Sequence, residues 1–158
     1  MSTTTTTHYP LLFTFLDKVE GNDYLAEIRV HGRLLAAEEE DCWWMYGVNP
    51  GGLAAKGTSR AEAYGEFRKT LMRVLFDLAS EAPDFYDFRS SAGRFFEETD
   101  AETVAEWEAA REDVRAGKTT IEGMRRESSE SYRRIEINLK QTFRATDNVV
   151  DPQETVAA

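Results

Sequence analysis

Gly57-Thr58-Ser59-Arg60-Ala61-Glu62-Ala63 is the stretch on which the fold turns. It marks the end of extended chain, a tight turn and the start of a long amphipathic helix. Ser59 is placed to accept a hydrogen bond from the N–H of Glu62, and Glu62 to reach back to the N–H of Ser59, the reciprocal capping-box arrangement. Tyr64, Phe67, Leu71, Val74 or Leu75, and Leu78 then recur every three to four residues, so one face of the helix is apolar. The spacing predicts a helix from Arg60 to about Ala79, ending before Pro83.

Upstream of this point the periodicity is that of strands. Leu11, Phe13 and Phe15 alternate with Leu12, Thr14 and Leu16. Glu20-Gly21-Asn22-Asp23 reads as a hairpin turn, followed by a second strand from Tyr24 to Ala37 in which Gly32 marks a bulge. Glu38-Glu39-Glu40-Asp41 is a solvated turn. Cys42 to Val48, rich in aromatics, is a third strand, and Asn49-Pro50-Gly51-Gly52 turns the chain again. Leu53 to Lys56 is extended and carries the chain to the helix. Strands followed by a helix predict an α+β layer: an antiparallel sheet of three to four strands packed on one long amphipathic helix, with additional C-terminal helices.

Downstream the pattern is less regular. Pro83 to Phe96 concentrates five aromatics, Phe85, Tyr86, Phe88, Phe95 and Phe96, which implies burial against something. Asp100 is placed to cap a helix running to about Ala116, with Gly117 as its stop signal. The apolar stripe of that helix is thin (Val104, Trp107, Ala110, Val114), which marks it as peripheral. A short helix is expected from Thr119 or Thr120 to about Glu130. Ile135, Ile137 and Leu139 alternate with Glu136 and Asn138, a strand that rejoins the sheet. The organisation expected is a flexible tail over 1–9, a single domain over 10–144 and a second tail over 145–158. Within the domain, 10–80 is the β-β-β-α core, 81–131 a helical extension and 132–140 the returning strand.

The chain has 158 residues, 41% of them hydrophobic, with nine Phe, six Tyr and three Trp, which suffices for a sizeable core. Its net charge of −10 argues against general nucleic-acid binding and favours basic partners. A single cysteine, Cys42, excludes an intramolecular disulfide, and with only His8 and His31 beside it a Cys/His zinc site is not expected. No secretory signal or membrane span is legible, so the expectation is a cytoplasmic protein.

No set of residues converges on a catalytic motif. Glu38 to Asp41 are consecutive turn carboxylates, read as solvated rather than as a cation site. Asn49-Pro50-Gly51-Gly52 lacks the Gly-Lys-Ser/Thr ending of a phosphate-binding loop. No metal or cofactor is expected. Trp43, Trp44 and Tyr46 stand on one strand, where neighbours point to opposite faces. With Phe85, Tyr86 and Trp107 they are the candidate partner-binding residues, because aromatics are enriched at interfaces. Between residues 115 and 144 eight basic residues face four acidic ones. Arg125, Arg126, Arg133 and Arg134 are therefore candidates for an anion or nucleic-acid contact. Docking of this basic segment on an acidic surface of the protein itself or of a twin subunit is the preferred reading.

Two turns and a helix start together resemble the HicB-like antitoxin family. Gly21-Asn22-Asp23-Tyr24 is similar to the family's first hairpin turn, and Gly57, Ser59, Glu62 and Ala63 match its Gly-x-Thr/Ser-x-x-Glu-Ala helix start. The likeness covers residues 10–80. The family's Pro-x-x-Pro-Gly segment is absent, the hairpin is longer, and no helix-turn-helix tail is evident. The resemblance implies a partial ribonuclease-H-like βββαβ unit without nuclease activity. Such a unit covers a small basic toxin and often oligomerises. Two other expectations stand beside it: a homo-oligomeric interaction protein without a toxin partner, and a small-molecule enzyme using acidic residues and His31.

Overall fold

The computed structural model describes residues 5–121, 130 and 132–143. Strands β1 (Thr7–Glu20), β2 (Tyr24–Glu38), β3 (Trp43–Asn49) and β4 (Gly51–Gly57) form an antiparallel meander. Helices α1 (Arg60–Glu81), α2 (Phe85–Glu97) and α3 (Ala101–Arg115) follow, and β5 (Arg134–Thr142) returns to the sheet. The class is α+β, as the sequence predicts. The sheet has five strands rather than three or four, because Leu53–Lys56 extends into a full strand paired with β3. The N-terminal tail is shorter than expected, since Thr7, His8 and Tyr9 already pair with Glu38, Ala37 and Ala36. The helix expected over 119–130 and the tail over 145–158 lie outside the described residues, apart from isolated positions at the start and end of the former.

Strand β2 organises the molecule. Along one edge it pairs with β1 over its whole length. Its other edge is shared end to end: Tyr24 to His31 pair with β5, and Arg33 to Glu38 pair with β3. Gly32 lies at the seam between the two partners. A Cβ there would stand 2.2 Å from the Asn49 carbonyl oxygen and 2.4 Å from the Phe13 ring, so the position admits only glycine. The register irregularity falls between Arg33 and Leu34, beside the bulge expected at Gly32.

The main core lies between one sheet face and the pair α1 and α2. Phe13, Phe15, Ile28, Val30, Leu34 and Met45 of the sheet meet Phe67, Leu71 and Leu75 of α1 and Phe88 and Phe96 of α2. The α1 residues Ala63, Phe67, Leu71, Leu75 and Ala79 form a stripe of spacing four, the geometry of one helical face. Ser59 accepts from the Glu62 N–H at 3.1 Å as predicted. The reciprocal bond falls one residue earlier: the Glu62 carboxylate accepts from the N–H of Thr58 at 3.2 Å and from its hydroxyl at 3.0 Å. Thr58 brings both its N–H and its hydroxyl to one carboxylate. At the other end of α1, Asn22 of the β1–β2 turn donates to the carbonyls of Ala82 and Ser80 at 2.8 and 3.2 Å. The hairpin turn therefore satisfies carbonyls that the helix leaves open.

The aromatic segment after Pro83 is helix α2, capped by Asp84, whose carboxylate accepts from the Asp87 N–H at 2.9 Å. Its C-terminus is pinned where the Gly51 N–H donates to Glu98 O at 2.8 Å, and the chain then passes into α3. Helix α3 is capped by Asp100 and stopped at Gly117, which has a φ of +76°. It is not peripheral. Trp107 and Ala110 are buried with Leu35 and Val48 in a second core, flanked by Leu12, Tyr46 and Val104, on the opposite face of the sheet. Three layers result: α1 and α2, the sheet, and α3.

Candidate functional site

Two surfaces concentrate chemistry, and strand β2 runs between them. The first is the β2–β3 turn. Glu38, Glu39, Glu40, Asp41, Cys42 and Trp43, with Thr5, Thr7 and Thr58, line an open concavity of about 420 Å³. The four consecutive carboxylates give it a strongly negative rim. Trp43 forms an aromatic wall by stacking on Tyr9 with ring centroids 5.6 Å apart, and the Tyr9 hydroxyl donates to Glu38 at 3.3 Å. The Cys42 thiol donates to the Glu39 carboxylate at 3.4 Å. Burial, that hydrogen bond and the neighbouring carboxylates push the thiol up, so the thiolate a nucleophile needs is disfavoured. Among the described residues no group of three or more His, Cys, Asp or Glu is placed to hold a metal ion.

The adjacent tryptophans part as their strand requires. Trp43 packs against the main core, and Trp44 lies on the other face, stacked on Tyr46 at 5.8 Å with the Lys56 ammonium 5.7 Å from its ring centre. Of the remaining aromatic candidates only Tyr86 is a surface residue, at 63% exposure, with the Arg89 guanidinium over its ring. Phe85 and Trp107 correct the sequence reading. Both are buried within this chain, Phe85 against Tyr24 and Trp107 in the second core, so neither is available to a partner.

The second surface lies at the seam of β2, on the face covered by α3. Arg33 enters the sheet interior with only 3% of its surface exposed. Its Nε donates to Asn49 Oδ1 at 2.7 Å, and its guanidinium lies 5.0 Å from the Trp107 ring centre. Arg111, one helical turn beyond Trp107, places its own guanidinium 5.3 Å from the same ring. Glu108 is shared by three guanidinium groups. Arg33 Nη1 approaches it at 3.6 Å and Arg133 at 3.9 Å, and Arg111 pairs with its second oxygen. Burial, and then Arg133, lower the Arg33 pKa; Glu108 opposes them, and Arg111 adds to the lowering. Arg33 Nη1 and His31 Nε2 are buried here without a hydrogen bond. His31 meets the Tyr132 ring edge-on at 5.8 Å and stands opposite Arg134 in the β2–β5 register.

Arg133 and Arg134 thus lie by this seam, and both are paired with the protein's own carboxylates, Arg133 with Glu108 and Arg134 with Glu136. Lys140 likewise pairs with Glu27. Arg125 and Arg126 lie outside the described residues. His31 lies apart from the carboxylates of the β2–β3 turn: seven strand steps separate it from Glu38, about 23 Å. Sequence reasoning missed Arg33, Asn49, Glu108 and Arg111. The available signal was Arg33 itself, a charge embedded in the apolar run Val30 to Ala37.

No protein-family model, curated protein or solved structure matches the chain.

Proposed function

We propose that the chain is a non-enzymatic binding module, similar to a HicB-type antitoxin, that recognises a basic protein partner. The observation that carries this reading is the acidic concavity of the β2–β3 turn. Four carboxylates surround it, a tryptophan walls it, and no basic side chain is among the described residues that line it. Lys or Arg of a partner fits such a site twice over, through charge and through stacking on Trp43. The chain's net charge of −10 extends the same field to long range and speeds encounter with a basic protein.

The test is capture from the native host's lysate by the purified chain and by an E39Q/E40Q/D41N variant, each read by mass spectrometry and light scattering. Retention of one small basic protein by the parent chain, lost in the variant, supports the reading. Equal capture by both refutes it.

Self-association is a second reading, favoured by β1. The outer edge of this 14-residue strand has no paired strand among the described residues, and Leu16 beside it is 51% exposed. An open edge of that length is a template for pairing with a second copy. A strictly monomeric mass at high micromolar concentration would refute it.

A further inference from the structure

We propose that the seam of β2 is a binding site for a phosphoryl oxyanion, held by Arg33, Arg111 and Arg133 with His31 beside them. The argument begins with charge. Three guanidinium groups converge on the carboxylate of Glu108 inside a chain of net charge −10. The cluster is not spread over a solvated face. Arg33 is almost wholly buried, and its Nη1, 3.6 Å from the Glu108 carboxylate, makes an ion pair but no hydrogen bond. A buried donor left unmade costs free energy that a ligand recovers. His31 Nε2, two residues away on the same face of β2, is a second buried nitrogen without a hydrogen bond, and its N–H tautomer donates to an oxyanion.

The architecture fits a site rather than a defect. The edge of β2 changes partner here, with Asn49 ending β3 opposite Arg33 and Arg134 starting β5 opposite His31. No ladder pairing spans Gly32 on this edge, so the backbone is parted between two strands. Arg33 is preorganised by Asn49 and by the Trp107 ring, and the same ring supports Arg111. The outer members are accessible: the side chains of Arg111, Glu108 and Arg133 are 29%, 35% and 54% exposed. A ligand entering from that side meets Arg133 first and Arg33 last.

The ligand class follows from the three guanidinium groups. A carboxylate carries one charge, and Glu108 already supplies one. A phosphoryl group carries close to two negative charges at neutral pH, and its planar oxygen pairs match guanidinium donors. Glu108 then acts as an internal counterion, competing with the ligand for the same three groups.

The experiment compares thermal unfolding of the full chain in inorganic phosphate and in chloride at matched ionic strength, for wild type, Glu108→Gln and Arg133→Gln. The wild-type midpoint is expected to rise in phosphate over chloride and to saturate with a dissociation constant of about 1 mM or tighter. Glu108→Gln is expected to have the lowest midpoint in chloride and the largest phosphate increment, because the anion replaces the lost carboxylate. Arg133→Gln, at an exposed position, is expected to fold normally and to bind phosphate at least about threefold more weakly. Should Glu108→Gln not fold, titration calorimetry of wild type against Arg133→Gln decides alone. Phenyl phosphate distinguishes the source. Its competition with phosphate marks a phosphoester site, and its exclusion marks a site for the free ion. Identical midpoints in phosphate and chloride for wild type and Glu108→Gln overturn the proposal, and so does a phosphate increment that does not saturate and is equal in Arg133→Gln, because exclusion of phosphate from the protein surface raises the midpoint without a site.

Discussion

Truncating Trp107 tests whether α3 is a structural layer or an ornament. The side chain is 99% buried: 1% of the residue remains exposed, among Leu35, Val48, Ala110, Leu12 and Val104. A tryptophan removes about 200 Å² from water, worth about 5 kcal/mol at 25 cal/mol per Å². The denatured chain already buries part of that surface, which brings the transfer contribution to about 3–4 kcal/mol. Three further interactions disappear with the ring. Arg33 and Arg111 lose their aromatic support, about 0.5–1 kcal/mol each, and the indole N–H loses the Leu11 carbonyl at 3.4 Å. Trp107→Ala is therefore expected to cost about 4–6 kcal/mol, at or just above the upper end of large-to-small core substitutions. Trp107→Phe keeps an aromatic face under both guanidinium groups and is expected to cost about 1–2 kcal/mol. Urea unfolding monitored by circular dichroism gives both values. A fall in m for the alanine variant would show α3 already undocked before the transition. A cost below about 1 kcal/mol for Trp107→Ala would refute the reasoning, since that is the magnitude of a surface substitution.

Three further outcomes follow from the helix start and from Tyr24. Ser59→Ala removes the acceptor of the Glu62 N–H and is expected to cost about 1 kcal/mol, lowering the thermal midpoint by about 2–4 °C; an unchanged midpoint would show the cap to be idle. In Gly57→Ala the new Cβ would stand 2.4 Å from the Ala63 nitrogen and 2.8 Å from the Glu62 carbonyl carbon. Both are backbone atoms that cannot swing aside, so a loss of about 2 kcal/mol or more is expected in the same denaturation assay. The buried Tyr24 hydroxyl, pushed up to about 12 by burial and then by Asp84, stays protonated in the fold after the unfolded chain has released its proton near 10. The unfolded state then binds fewer protons, so stability falls as pH rises from about 10 to about 12. Tyr24→Phe is expected to flatten that decline, and an unaltered pH profile would remove Tyr24 as its cause.

The elements legible in the sequence are those whose own residues announce them. Ser59, Asp100 and Gly117 are local signals, and the helix boundaries they predict agree with the structure to within two residues. The Tyr24 to Ala37 strand and the returning strand at Ile135 to Leu139 are likewise set by alternation within a few residues. What escaped depends on contacts distant in sequence. Asp84 followed by Phe85, Phe88, Ala92 and Phe96 is a helical stripe, yet the density of aromatics hid its period. The thin stripe of α3 suggests a peripheral helix, yet one Trp and one Ala suffice when they seat on Leu35 and Val48, about 60 to 75 residues earlier. The aromatic candidates divide on the same ground. Strand parity separated Trp43 from Trp44, but no local pattern distinguishes the buried Phe85 from the exposed Tyr86 beside it. The seam was illegible for a further reason: the residues that form it belong to β2, β3, α3 and the chain just before β5, and only Arg33 carried a signal in its own neighbourhood.

That one signal explains why the segment after α1 is part of the fold rather than an appendage. A guanidinium placed within a sheet is costly unless it is paired and hydrogen-bonded. Strand β3 supplies the hydrogen bond through Asn49, but it supplies no negative charge. Glu108 does, and Trp107, its neighbour on α3, covers the guanidinium. The helix that closes the second face of the sheet is therefore the same helix that makes Arg33 tolerable there. Packing and electrostatics are coupled in consecutive residues: displacing α3 exposes the apolar surface of Leu35 and Val48 and strands the charge of Arg33 at once. Arg133 and Arg111 complicate this balance, because each adds positive charge where pairing alone called for a single carboxylate. Arg111 is the i,i+3 partner of Glu108 on α3, and Arg133 reaches the same carboxylate from the chain just before β5. Their convergence is accounted for if the cluster has a second anion to hold.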